Sequence, residues 1–194
     1  EFRRVLFRSN TSTDHGGGIA CDNGASPSLT NVTIIGNSGV SGGGMQISRQ
    51  NSVATLDNVL ISGNSAGNGG GIVCNSHGSF TAVNVIISDN SASGYGGGIA
   101  LTDSDPYISF CTIQNNSAVL YGGGIYSNSS NFSVSNTVIS GNQSSLGGGM
   151  YIYGNSYQVI ENMTITNNTA SSGGGIWCGS AANPSLVNSI LWND

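Results

Sequence analysis

The sequence predicts an all-β fold, a right-handed parallel β-helix solenoid of about seven coils of roughly 26 residues. Three observations predict it. A glycine triplet closed by Ile or Met begins at Gly16, Gly42, Gly69, Gly96, Gly122, Gly147 and Gly173. Asparagine recurs in phase at Asn10, Asn37, Asn64, Asn90, Asn116, Asn142 and Asn168, and Asp194 falls on the next position. A second asparagine column, Asn31, Asn58, Asn84, Asn136, Asn162 and Asn188, is broken only by Phe110.

Short apolar runs lie between these landmarks, and they alternate apolar with polar as half-buried strands do. Ile34, Ile61, Ile87, Ile113, Ile139, Ile165 and Leu191 form one inward column. Leu29, Leu56, Ala82, Ile108, Val134, Ile160 and Leu186 form another. Stacked at about 4.8 Å per coil, the chain would make a rod about 34 Å long. Glycine is expected where the chain turns with positive φ or passes close to other backbone. Asparagine is expected both to tolerate a left-handed corner and to bond from coil to coil as a ladder, with Asn37, Asn64, Asn90, Asn116, Asn142 and Asn168 as its rungs. Pro27, Pro106 and Pro184 each precede the second asparagine column by four residues, where a strand begins and no N–H is required.

Residues 1–9, EFRRVLFRS, are read separately from a β-helix spanning 10–194. They hold three of the four basic residues, and the repeat gives them no counterpart. One back-translation matches a common sequencing adapter, so the segment is expected to be non-native and the chain an environmental gene fragment truncated at both ends. The net charge is −5, and beyond residue 9 Arg49 is the one Lys or Arg. Such a surface is a poor partner for nucleic acid or anionic membranes. No stretch approaches the roughly 20 apolar residues of a membrane helix.

The Gly-Gly-Gly-Ile units paired with Ile-x-x-Asn (Ile61 to Asn64, Ile87 to Asn90, Ile139 to Asn142) resemble bacterial right-handed β-helix repeat proteins, among them the polymorphic outer-membrane protein repeats of the pectin-lyase-like superfold. Ile stands here where that family has Phe. Asn188 to Asn193 looks like the closing motif of large surface β-helix proteins with a C-terminal anchor. The resemblance implies secretion or display at a cell surface or outer membrane, within a longer chain whose further coils are neighbours of these.

The candidate sites are few. Cys21, Cys74 and Cys178 share an inward column, and Cys111 lies in another. Cys21 and Cys74 would be two coils, about 9–10 Å, apart, too far for a bridge. All four read as small buried hydrophobes. Asp22, Asp57, Asp89, Asp103, Asp105 and Glu161 fall in different coils or columns, which does not assemble the paired carboxylates of a glycosidase. Arg49 is the one credible base, with no acid column beside it. Asp103 and Asp105 could donate to calcium in a loop, although a solvated turn fits them better. His15 and His77 read as surface residues. Tyr126, Tyr151 and Trp177, with Tyr153 two residues on, are expected to form an exposed aromatic ladder, and Tyr95 and Tyr121 a second pair. Such a ladder is either a sugar platform or cross-strand stacking, and stacking is slightly favoured.

Two functions remain. The preferred one is a non-catalytic structural or adhesive scaffold that displays variable loops and takes carbohydrate or cell-surface ligands. The alternative is a fragment of a polysaccharide-active lyase or glycosidase whose catalytic coils lie elsewhere.

Overall fold

The computed structural model describes residues 5–154 and 157–194. Every strand pairing in it is parallel and joins a residue to its counterpart one coil on, as in Ile34 with Ile61 and Leu56 with Ala82. Four sheets result, of eight, seven, seven and four strands. The glycine sheet comprises the strands that follow the triplets: Ile19–Cys21, Met45–Ser48, Ile72–Asn75, Ile99–Thr102, Ile125–Asn128, Met150–Tyr153 and Ile176–Gly179. A second seven-stranded sheet runs from Ser28–Thr30 to Ser185–Val187. The eight-stranded sheet ends on Ile190–Trp192, and the four-stranded sheet spans Ser38–Ser41 to Ser117–Ala118.

The aliphatic columns fill the interior as the alternation requires. Ile34, Ile61, Ile87, Ile113, Ile139 and Ile165 are fully buried, as are Leu56, Ala82, Ile108, Val134 and Ile160. Each aliphatic side chain so placed contributes about 1.5–3 kcal/mol. Two further inward columns carry no strong sequence signature. Val32, Val59, Val85, Cys111 and Met163 follow the second asparagine column, and Phe80, Phe132 and Gln158 lie ahead of the leucine column.

The two roles assigned to asparagine fall to different columns. Asn31, Asn58, Asn84, Asn136, Asn162 and Asn188 have φ between 47° and 58° and turn the corner in the left-handed region. Phe110 does the same at 53° with its ring exposed. The ladder residues Asn37 to Asn168 are buried at 0–2% exposure and bond to one another instead. Gly96 shows what the triplet does. It turns at φ 64°, and a Cβ on the next glycine, Gly97, would stand 2.5 Å from the Gly123 carbonyl oxygen.

One structural expectation is corrected. The later part of the 1–9 segment does have a counterpart in the repeat: Val5–Arg8 forms a strand that pairs in register with Val32–Ile35, placing Phe7 opposite Ile34. Asn10 then donates its Nδ2 to Asn37 Oδ1 at 2.8 Å. Phe7 and Asn10 thus complete a Phe-x-x-Asn unit. Residues 1–4 lie outside the described residues.

Candidate functional site

The site is built on the outer face of the glycine sheet. Because the strands are in register, the residue after each triplet's Ile or Met forms one outward row: Ala20, Gln46, Val73, Ala100, Tyr126, Tyr151 and Trp177. The row two residues on runs Ser48, Asn75, Thr102, Asn128 and Tyr153. A flanking row comes from the residue before each triplet, where Tyr95 and Tyr121 bridge one coil to the next.

The aromatic row is not the exposed ladder that the sequence predicts. Tyr151 is only 6% exposed. It lies between Tyr121 and Tyr126 on one side, at ring centroids of 4.7 and 5.5 Å, and Trp177 on the other, at 4.4 Å. Tyr95 stacks on both Tyr121 and Tyr126, at 5.5 and 4.9 Å. Tyr153 extends the cluster at 6.3 Å from Tyr151 and is 38% exposed. The cause is geometric. A phenol ring is wider than the ~4.8 Å between strands, so it cannot lie flat beside an in-register neighbour. The rings tip and stack, and they spend their faces on one another.

Tyr95 is the first ring of that stack. In the two preceding coils its row holds Ser41 and Asn68 and the outward row holds Gln46 and Val73, with Ala100 in its own coil, so no aromatic residue of either row lies on that side. A cleft of about 280 Å³ opens there, lined by Val73, Ala100, Asn68, Asn75, Thr102, Asn128, Tyr95 and Tyr126 among others. Val73 and Ala100 are 4% and 6% exposed and make its apolar floor. Burial, reinforced by Tyr151 and Tyr95, pushes the Tyr126 phenol up to about 12. Burial and then Tyr121 raise Tyr151 as well. These hydroxyls stay protonated and can donate.

Toward the first coil, the same outward row floors a smaller cleft of about 120 Å³, lined by His15, Ala20, Cys21, Asp22, Gln46, Ser48 and Arg49. Arg49 has no acid column beside it but does have a single acid, Asp22. Its Nη1 lies 3.2 Å from Asp22 and donates to Asn23 Oδ1 at 2.8 Å. Register alone misses the pair, because Asp22 and Arg49 sit one residue out of step in adjacent coils. Two side-chain oxygens on this face are buried without a hydrogen-bond partner, Gln46 Oε1 and Asn75 Oδ1.

The remaining candidates are dispersed. Asp105 accepts the Asn131 N–H at 3.0 Å, and its carbonyl accepts from Ser79 Oγ at 2.9 Å. Asp103 turns at φ 48°, and its carbonyl accepts the His77 N–H at 2.7 Å. The pair thus belongs to a turn locked between coils, and no group of three or more His, Cys, Asp or Glu is gathered as metal ligands among the described residues. The ladder of Asn37, Asn64, Asn90, Asn116, Asn142 and Asn168 lies buried inside the corner. All four cysteines are free. Cys21, Cys74 and Cys111 are buried, but Cys178 is exposed, which corrects its reading as a buried hydrophobe. In the last coil its inward column is uncovered, like Leu186 at 42%.

The model of the right-handed β-helix region matches residues 3–113 and 70–193, nearly the whole chain. The chain belongs to that family. No curated protein and no solved structure matches it. The membership accounts for the parallel β-helix and its roughly 26-residue period.

Proposed function

We propose that this β-helix is a non-catalytic stretch of a secreted or cell-surface protein, a stiff scaffold that binds carbohydrate on the outer face of its glycine sheet. One observation carries the binding reading: the cleft at Tyr95 combines an open aromatic end, an apolar floor and three amide side chains. A sugar ring has an apolar C–H face and a rim of hydroxyls, and such a pocket suits both. The non-catalytic reading is supported by the placement of the acids, since Asp22 faces Arg49 and Asp105 is bonded within a turn. No helix among the described residues is long and apolar enough to cross a membrane.

The test is calorimetric titration of the chain with neutral oligosaccharides of the cello, malto and xylo series. Tyr95→Ala should weaken binding about tenfold, the loss of one stacking contact. Tyr107→Ala, on a different sheet, should leave it unchanged. If no glycan binds, the reading fails. Reproducible release of reducing or unsaturated ends from any of them would favour the alternative, a polysaccharide-active enzyme.

A further inference from the structure

We propose that Asn23 is a self-modification site: its side-chain amide cyclises onto the Gly24 nitrogen, with Arg49 of the next coil polarising the amide, and the ring opens to aspartate and isoaspartate.

The sequence has two Asn-Gly dipeptides, Asn23-Gly24 and Asn68-Gly69. In such a pair the side-chain amide can reach the following nitrogen, because glycine has no Cβ to shield it and turns freely. The two pairs sit in different surroundings. Asn23 and Gly24 are the central residues of a tight turn, at φ 54° and 84°, closed by the Ala25 N–H on the Asp22 carbonyl at 3.2 Å. Both are exposed. A Cβ on Gly24 would meet nothing nearer than the Asn51 carbonyl oxygen at 4.0 Å. The Gly24 N–H donates to a side chain, Ser52 Oγ at 3.1 Å, rather than to a strand.

Asn68 is clamped instead. Its Oδ1 accepts the Tyr95 N–H at 3.0 Å, and the Gly69 N–H donates to the Tyr95 carbonyl at 2.9 Å. A Cβ on Gly69 would run into the Ile72 carbonyl. Closing a ring at Asn68 breaks the pairing of two coils, whereas closing one at Asn23 opens a surface turn.

Arg49 adds what a plain Asn-Gly turn lacks. Its Nη1 donates to Asn23 Oδ1 at 2.8 Å, and Asn23 Nδ2 donates to Asp22 Oδ2 at 3.4 Å, so the amide is held at both ends. The Gly24 nitrogen attacks Asn23 Cγ and gives its proton to water. Negative charge gathers on Oδ1, where the guanidinium stands. The Cγ–Nδ2 bond then breaks, and Nδ2 leaves as ammonia with a proton from water. Water opens the cyclic imide at Cγ, which yields aspartate, or at the backbone carbonyl, which yields isoaspartate. Either product sets a second carboxylate beside Asp22 and Arg49 and adds a negative charge to a chain already at −5. Isoaspartate also lengthens the turn and shifts Gly24 against Ser52, which is fully buried.

The experiment ages the full chain in mildly alkaline buffer, folded and in urea. Peptide mass spectrometry reads amide-to-acid conversion at each dipeptide, and chromatography separates the two acids. In the folded chain Asn23 should convert at least about tenfold faster than Asn68, whose reacting groups are held out of position. In urea the two rates should converge. Arg49 is 62% exposed, so its replacement leaves the fold intact. Arg49→Met should slow the folded reaction at Asn23 about threefold, the rate equivalent of an exposed charge contact, and change nothing in urea. Arg49→Lys should restore part of the rate. An Asn23 that converts in urea but stays intact in the folded chain would overturn the proposal, as would equal folded rates at the two sites. Arg49→Met reacting as fast as the wild type, or faster, would remove Arg49 from it. Aspartate without isoaspartate would mean direct hydrolysis and refute the cyclisation.

Discussion

Asn64 places its backbone N–H and its Nδ2 on the same acceptor, Asn90 Oδ1, each at 3.0 Å. Its second Nδ2 hydrogen goes back to the Ile34 carbonyl at 3.1 Å. Asn90 repeats the pattern onto Asn116 and the Ile61 carbonyl. Both amide hydrogens and both lone pairs of each rung are therefore used. Only a side chain with two donors and a two-fold acceptor can do this, which excludes Asp, Ser and Ala.

Asn90→Asp tests that account. It removes two donors and introduces a charge at a site 1% exposed. The loss should be about 3–5 kcal/mol at neutral pH, as for an uncompensated buried charge. It should shrink in acid, where the neutral carboxyl regains one donor. Asn90→Ala should cost less, about 2–3 kcal/mol, because it leaves orphans but no charge. Urea unfolding at pH 4 and pH 7 checks the order.

Glycines of the coil are expected to differ in tolerance. Gly97→Ala would bring Cβ within 2.5 Å of the Gly123 carbonyl oxygen and the Ser117 carbonyl carbon, both backbone. The coil has no room to yield, and the variant should fail to fold cooperatively. Gly36→Ala meets only Ser9 Oγ at 3.9 Å, and its cost is the strain of φ 64°, about 1–2 kcal/mol. Circular dichroism melts of the two variants separate close packing from backbone strain.

Phe110 interrupts the outer asparagine column with a bulky residue at φ 53° and an exposed ring. Phe110→Asn should stabilise the fold by about 1 kcal/mol, since asparagine tolerates the left-handed region that phenylalanine does not. A melting temperature at or below that of the parent would show that the ring has a packing role.

Thiol chemistry should be confined to the last coil. Burial pushes Cys74 up to about 12, and Cys21 and Cys111 to about 11. An aromatic disulfide reagent at pH 8 should therefore titrate Cys178 alone in the native chain, and four thiols after denaturation. The sign for stability follows. The folded values lie above the ordinary 9.0, so stability has its full value below pH 9.0 and is lost as the pH rises through about 11 and 12. Tyr126, at about 12, adds in the same direction. A native chain that reacted at all four thiols at pH 8 would contradict the buried columns.

The sequence by itself determined the coil. Its period, the aliphatic columns, the ladder rungs from Asn37 to Asn168 and the proline-led strand starts were all legible, because an in-register parallel stack turns equal sequence spacing into direct contact. The tertiary structure decided what lies between columns. The strand spacing, narrower than a phenol ring, turned Tyr126, Tyr151 and Trp177 from an open ladder into a stack that covers its own faces. Tyr95, in the flanking row, became the open end only because that row leans over the outward one. Asp22 met Arg49 one residue out of register, where phase gives no signal. The clefts at Gln46 and Val73 arise where small side chains precede larger ones along one row. A hollow of that kind is a difference between neighbours in space, and no single repeat contains it.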